Sequence, residues 1–342
     1  MPKRILVTGG AGFIGHCLIA SLLDETDAEI VSLDRLDTSG NLNRLAEVLE
    51  ERPGAATRLK VVWHDLKAPL NESIRHIIGQ IHYVLHLAAG SHVDRSIKYP
   101  LEFVMDNVVG TCNLLDYARE YLSDSLELFL YFSTDEVFGP APEGVFYGED
   151  DRYRAGNPYA ASKAGAEELC VSFENTYRMP IIITHTMNVF GQRQHPEKFM
   201  PLVIQSVRDN IEVPIHSNPD CTQAGKRHYI HSHDVAHAVQ FLIGGVAQSG
   251  QKYNIVGQEE LDNLQLAQMI ADIMGRKLRY KMVDFHSSRP GHDLRYALSG
   301  EKMKNLGFIY HKRIGERLAE VVEWTLKNPR WLRPAPASTM KK

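Results

Sequence analysis

Tyr159 and Lys163, four residues apart, and the adjacent carboxylates Asp135 and Glu136 are the side chains of this sequence best equipped to move protons. On a helix, a spacing of four places Tyr159 and Lys163 on one face. An ammonium there favours the tyrosinate and draws a phenol pKa down from near 10, which makes the pair a base for an alcohol proton. Oxidising an alcohol asks for little more than such a base and a hydride acceptor. Asp135 and Glu136, preceded by Thr134, are therefore a surplus, and that surplus bears on which reaction is run.

The hydride acceptor has its own signature upstream. Gly9, Gly12 and Gly15 follow a short apolar run and open a helical pattern that includes Phe13, Ile14, Leu18 and Leu22. One glycine serves a tight turn, one lets a pyrophosphate approach the backbone at a helix N-terminus, and one allows close helix packing. Asp34 ends the next apolar run about 20 residues on, where a carboxylate accepts from ribose hydroxyls and repels a 2′-phosphate. NAD is therefore expected rather than NADP. Arg35, beside it, is a cation that a phosphate could meet.

These residues need a scaffold that brings them together. Arg4–Thr8, Glu29–Leu33, Leu59–Trp63, Tyr83–Leu87, Leu128–Ser133 and Pro180–Thr184 read as strands, separated by stretches long enough for crossover helices, with a helix over Tyr159–Tyr177. This rhythm predicts an α/β fold with a doubly wound parallel (Rossmann) sheet covered on both faces. After about residue 190 it loosens. Helical patterns at Met200–Asp209, His233–Gly244, Leu264–Met274 and Ile314–Leu326 are divided by loops such as Ile215–Lys226 and His286–His292. The expected organisation is an NAD-binding domain over 1–190, a smaller α/β substrate lobe over 191–330 that is not strictly contiguous, and a disordered tail over 331–342.

Composition narrows the partners. With 342 residues and a formal charge of −4, there is no broad basic field for nucleic acid or an anionic membrane, and a small-molecule partner is expected. No apolar segment approaches the roughly 20 residues of a membrane span. The four cysteines are far apart and form no C-x-x-C, which suits a reducing, cytoplasmic setting. His228, His231, His233 and His237 cluster in sequence, but no acidic or cysteine partner completes a convincing ligand set, so no metal is expected.

Taken together, Gly9-x-x-Gly12-x-x-Gly15, His86-Leu-Ala-Ala89, Ser133-Thr134 and Tyr159-x-x-x-Lys163 resemble the extended short-chain dehydrogenase/reductase family of nucleotide-sugar enzymes. Ser91-His92-Val93-Asp94-Arg95-Ser96-Ile97, Asn107-Val-Val-Gly110-Thr111, Thr134-Asp135-Glu136, Pro196-Glu197-Lys198 and the run from Arg289 to Tyr296 are similar to its dTDP-glucose 4,6-dehydratase branch. The likeness spans about residues 4 to 326. It implies oxidation of a sugar at C4 with Tyr159 as base, loss of water across C5 and C6, and return of hydride to C6. It assigns the C5 base to Glu136, the acid for the departing 6-hydroxyl to Asp135, and a hydrogen bond to the 4-oxygen to Thr134. It adds Asp65, Leu66, Leu87, Ala88 and Ala89 to the cofactor seat. Ser91, His92, Asn188, Glu197, Lys198, Arg227 and Arg289 become contacts for a nucleoside-diphosphate glucose. A homodimer through helices around the Tyr-Lys segment is also implied.

Departures from that pattern fall on the nucleotide side. Gly90 stands where a glutamate is usual, His185 replaces an arginine, Asn188-Val189-Phe190-Gly191-Gln192 replaces Asn-Asn-Tyr-Gly-Pro, the loop from Ile215 lacks a glycine-rich turn, and Arg227-His228-Tyr229 replaces Arg-Asp-Trp. The expected substrate is dTDP-glucose, with UDP-glucose the competitor. A 4-epimerase or decarboxylase of the same family would commonly lack an aspartate at position 135.

Overall fold

β1 (Arg4–Thr8) has Ile5, Leu6 and Val7 buried in succession, although alternate side chains point to opposite faces. A strand with no polar break must be covered on both sides, and here it is. The computed structural model describes residues 2–37, 39–284 and 294–332. In it, β1 is flanked by β2 (Glu29–Asp34) and β3 (Leu59–Trp63) on one side and by β4 (Tyr83–His86), β5 (Leu128–Thr134) and β6 (Ile181–Thr186) on the other. All neighbours in this sheet are parallel. The chain then forms β7 (Asn188–Phe190), β8 (Val213–Ser217) and β9 (Lys226–His231), and returns to the edge beyond β6 with β10 (Lys252–Ile255). The seven-strand order is β10-β6-β5-β4-β1-β2-β3, so the crossovers reverse between β1 and β4. A crevice at the carboxyl ends of the strands is the consequence.

β5 shows how the two layers are built. Phe129 and Tyr131 face a cluster containing Leu114, Leu115, Ala166 and Cys170, from the helices Gly110–Tyr121 and Pro158–Tyr177. Leu130 and Phe132 face the opposite cluster, with Leu18, Leu22, Val235 and Val239 from the helices Phe13–Glu25 and Ser232–Phe241. Helix Ser232–Phe241 thus covers the dinucleotide-type sheet although it lies well past residue 190.

The remaining elements form a second core. Helices Phe199–Arg208, Asn263–Ile273 and Ile314–Lys327 pack Val203, Ile204, Leu266, Ile270, Leu318 and Val322 together. β9 pairs with β7 and with β11 (Glu260–Asp262), and β8 pairs with β12 (Tyr280–Asp284). These short strands, and β10, do not stand out as strands in the sequence. In β10 the polar residue Asn254 is wholly buried because its amide donates to the carbonyls of Tyr147 and Ser299, each at 3.1 Å, a solution that only the tertiary fold supplies. Loop His286–His292 and the tail beyond Leu332 lie outside the described residues.

Candidate active site

A cleft of about 650 Å³ opens along the carboxyl ends of β1, β2, β4, β5 and β6 and continues to the second core. At one end lie Gly9, Gly12, Phe13, Ile14, Gly15, Asp34, Asp65, Leu66, Leu87, Ala88 and Ala89, the whole of the expected cofactor set apart from the Tyr-Lys pair. Gly9 turns with φ +70°, and a Cβ there would lie 2.9 Å from the Ala88 nitrogen. Gly12 caps the helix Phe13–Glu25 and has no side chain to bond the first-turn amides. Those donors at a helix N-terminus fit a pyrophosphate. Asp34 is fixed by the backbone amides of Ala11 (3.1 Å) and Leu36 (2.8 Å). Its carboxyl is pushed up by burial, with the two amides and Arg35 opposing. The residues present therefore fit a dinucleotide with a free ribose diol.

Gly15 tests this seat. A Cβ at Gly15 would meet the Gly9 carbonyl oxygen at 2.2 Å and the Gly10 Cα at 2.8 Å, both backbone atoms that cannot swing aside. Gly15→Ala is expected to lower stability by about 1–3 kcal/mol and to weaken dinucleotide binding sharply. Thermal unfolding and equilibrium titration with NAD check both; an unchanged melting temperature refutes the close-packing role.

At the middle of the cleft β5 ends in Thr134, and Asp135–Phe138 forms a single tight turn. The Thr134 hydroxyl donates to Asp135 Oδ1 at 3.1 Å and accepts from the Glu136 amide at 3.4 Å. Asp135 is 3 % exposed, and its Oδ2 has no hydrogen-bond partner among the described residues. Burial first, and the Glu136 charge second, push its carboxyl up to about 7, against the pull of Arg227 and Thr134. Glu136 is less buried, and its Oε2 accepts from Asn157 Nδ2 at 3.0 Å. Two adjacent carboxyls thus stand in different surroundings, one poised to hold a proton near neutrality. Asn157 was not among the expected residues. It caps the helix Pro158–Tyr177 by accepting from the Ala160 amide at 2.9 Å, while its amide group holds Glu136. The sequence signal was an Asn-Pro helix start, which reads as a cap and gives no hint of the second bond.

Tyr159 and Lys163 line the same cleft, one turn apart on that helix. The field around them differs from the simple expectation. Lys163 is 3 % exposed; burial lowers its ammonium to about 7, and Nζ donates to the Phe132 carbonyl at 2.7 Å. The Tyr159 phenol is raised above its usual 10, first by withdrawal from water and then by the Glu136 charge, with the Thr134 hydroxyl bond opposing. The protein's own charges here make the tyrosine a reluctant acid, and the lysine is not the opposing influence.

The substrate residues divide. Ser91, His92, Asn188, Glu197 and Lys198 line the cleft, with His92 Nε2 3.7 Å from Glu197 Oε2. Arg227 does not line it. Its guanidinium is buried, donates to the carbonyls of Lys226 (2.6 Å) and Leu294 (2.7 Å), and stacks over Tyr296 at 4.5 Å. Arg289 lies outside the described residues. Tyr229, noted in sequence only as part of a departure from the family pattern, lines the cleft, as do Gln194 and His195, which the sequence does not single out. His185, the replaced arginine, is wholly buried between Glu167 (3.1 Å) and Asn254 (3.0 Å) and packs edge-on against Phe138 behind the carboxylate turn. Among the described residues no group of three or more His, Cys, Asp or Glu is placed to hold a metal ion.

A doubly wound sheet whose crevice joins a glycine-turn dinucleotide seat to a Tyr-Lys helix defines an enzyme of the extended short-chain dehydrogenase/reductase class. Within it, the chain belongs to the GDP-mannose 4,6-dehydratase family, whose model matches residues 6–321. A probable dTDP-glucose 4,6-dehydratase of Sinorhizobium fredii is 35% identical over 97% of this chain and 95% of its own length. The solved dTDP-glucose 4,6-dehydratase DesIV of Streptomyces venezuelae, with NAD bound, superposes with a TM-score of 0.84 at 32% identity, covering 97% of this chain and 99% of that one. A UDP-glucose 4-epimerase of Thermus thermophilus, also with NAD, gives 0.81 at 26% identity, covering 94% and 98%.

Proposed function

We propose that the protein is an NAD-dependent dTDP-glucose 4,6-dehydratase, forming the 4-keto-6-deoxy sugar nucleotide. The observation that carries this is the Thr134-Asp135-Glu136 turn, whose buried Asp135 carboxyl, pushed up by burial and by Glu136, and Glu136 carboxylate line one cleft with Tyr159 and the glycine turn. The relatives named above as dTDP-glucose 4,6-dehydratases support the same reading.

In this reading Tyr159 takes the proton of the sugar 4-hydroxyl as its tyrosinate, a form that burial and Glu136 oppose and that the positive charge of a bound nicotinamide would favour, and the Thr134 hydroxyl bonds the 4-oxygen as it becomes a carbonyl. NAD, which the glycine turn and Asp34 would hold, would supply the hydride acceptor for that oxidation and the hydride donor for reduction at C6. The 4-ketone acidifies the C5 hydrogen, which Glu136, held by Asn157, removes as a proton. Asp135 gives its proton to the departing 6-hydroxyl, and water leaves. Its position near neutrality suits an acid that must be reprotonated every turnover. Lys163, on the same helix face as Tyr159 and bonded to the Phe132 carbonyl, would bond the nicotinamide ribose. Ser91, His92, Asn188, Glu197 and Lys198 would face the sugar and diphosphate; Arg227 would act from behind, through its charge on Asp135.

The test is turnover of purified protein on dTDP-glucose beside UDP-glucose, read by the absorbance of a 4-keto-6-deoxy product in strong base. Faster turnover of the uridine nucleotide would move the assignment to a UDP-glucose dehydratase, and an epimeric product without that chromophore would refute dehydration. Tyr159→Phe is expected to lower kcat by about 10²- to 10⁴-fold while NAD still binds.

A homodimer forms part of the proposal. Leu101 is 71% exposed, and Val104, Tyr121 and Tyr177 are also exposed on the elements packed around the Tyr-Lys helix, an apolar display that a second copy would cover. Light scattering gives the mass. No helix among the described residues is long and apolar enough to cross a membrane.

A further inference from the structure

Arg35 follows directly on Asp34, where an arginine can seat the 2′-phosphate of a dinucleotide ribose. Its guanidinium is already spoken for. Nη1 donates to Asp106 Oδ1 at 2.5 Å and Nη2 to Asp106 Oδ2 at 2.7 Å, a side-by-side pairing, while Nε donates to Asp37 Oδ2 at 2.8 Å. Asp65 Oδ1 lies 3.8 Å from Nη1. The Asp106 side chain is 10% exposed and that of Arg35 27%, so the pair is partly withdrawn from water, and bidentate charge-assisted bonds are among the stronger ones.

Neighbouring residues reinforce the arrangement. Asp106 comes from the π-helical turn Val104–Val109 and lies close over Gly90: a Cβ at that position would sit 3.2 Å from the Phe103 ring and 3.3 Å from Asp106 Oδ2. Lys67 stands 3.3 Å from Asp65 and 3.8 Å from Asp106. Arg44, the other guanidinium lining this end of the cleft, donates to the backbone carbonyls of Ala11 (3.1 Å), Ser39 (2.7 Å) and Arg193 (3.1 Å). Asp34, Asp37, Asp65 and Asp106 together give the ribose end a surplus of negative charge around the one guanidinium adjacent to Asp34.

We propose that Asp106 is a specificity residue for the cofactor: by holding Arg35 in a bidentate pair, it denies a 2′-phosphate the cation it would need and so enforces NAD over NADP. It acts through Arg35, in concert with Asp34, whose carboxylate excludes the phosphate directly. The inference rests on the NAD reading above.

The experiment is equilibrium binding of NAD⁺ and of NADP⁺ to the full chain by calorimetry, for the wild type, Asp106→Asn, Asp106→Ser, Arg35→Ala and the Asp106→Asn/Arg35→Ala double variant. Freeing the guanidinium is expected to raise NADP⁺ affinity relative to NAD⁺ by about tenfold or more in either Asp106 variant. The double variant should lose that gain, because the effect passes through Arg35. A ratio of affinities that stays at the wild-type value overturns the assignment, as does a gain that survives loss of Arg35. A role confined to packing would weaken both dinucleotides in proportion and leave the ratio fixed. A wild-type protein that binds neither dinucleotide, or prefers NADP⁺, would instead remove the NAD reading itself.

Discussion

Glu136→Gln should bind NAD with near wild-type affinity and yet lose exchange of the sugar C5 hydrogen with deuterated water, by about 10²- to 10⁴-fold. Glutamine keeps the shape of the side chain and an oxygen for the Asn157 amide, which donates to Glu136 at 3.0 Å. What it lacks is basicity. The C5 hydrogen is acidic only while the sugar is a 4-ketone, so exchange reports the base at its own step. The dinucleotide seat, built from the glycine turn and Asp34 at the other end of the cleft, does not include residue 136 in its hydrogen bonds. Exchange that persists at the wild-type rate would assign the base elsewhere, and a parallel loss of NAD affinity would mean that the substitution had disturbed the fold. Asn157→Ala supplies a graded comparison: it should slow exchange less than Glu136→Gln, because the base is loosened but retained.

The contrast between the two ends of the cleft shows what a sequence can carry. Gly9, Gly15 and Asp34 are legible because their roles are set by backbone: a positive φ, a helix packed onto a turn, and a carboxylate at a strand end. Each can be read from the spacing of glycines and an acid along one strand-helix-strand unit, even though Gly9 also approaches Ala88. The parallel sheet is legible for the same reason, since strands such as β1 and β5 are apolar on both faces. Where meaning depends on distant partners the signal fades. Arg227 carries a charge that could serve a phosphate, yet it is folded inward onto two carbonyls and Tyr296. β10 is four residues with a lysine and an asparagine in it, and only its contacts across the sheet edge make it a strand. Lys163 looks like the cation that would activate Tyr159, but its burial lowers its own ammonium to about 7, a consequence no spacing rule contains. Asp106 would pass for a surface acid until Arg35 is seen in its grasp.

Asp135 leads to the other large effect, because a buried acid should tie function to stability in opposite directions. Its folded carboxyl is pushed up to about 7 from an ordinary value of 3.8, by burial and then by the Glu136 charge. A group with a raised folded pKa binds more protons folded than unfolded between those two values, so its contribution to stability is greatest at low pH and is lost as pH climbs toward about 7. Integrating a gap of that size between pH 5 and pH 8 gives a loss of roughly 2–3 kcal/mol. Asp135→Asn removes the titration and keeps the shape. Relative to the wild type it should therefore gain roughly that much stability on going from pH 5 to pH 8, measured by urea unfolding at each pH. Comparing the two proteins at both pH values cancels the titrating groups that do not interact with residue 135. Activity runs the other way. The protonated carboxyl is the form that can release the 6-hydroxyl as water, so wild-type kcat should fall as pH rises through about 7, and the asparagine variant should be slower by about 10²- to 10³-fold with that alkaline limb gone. A stability difference that is the same at both pH values would show that residue 135 is ionised throughout, and an ionised aspartate has no proton to give the leaving group.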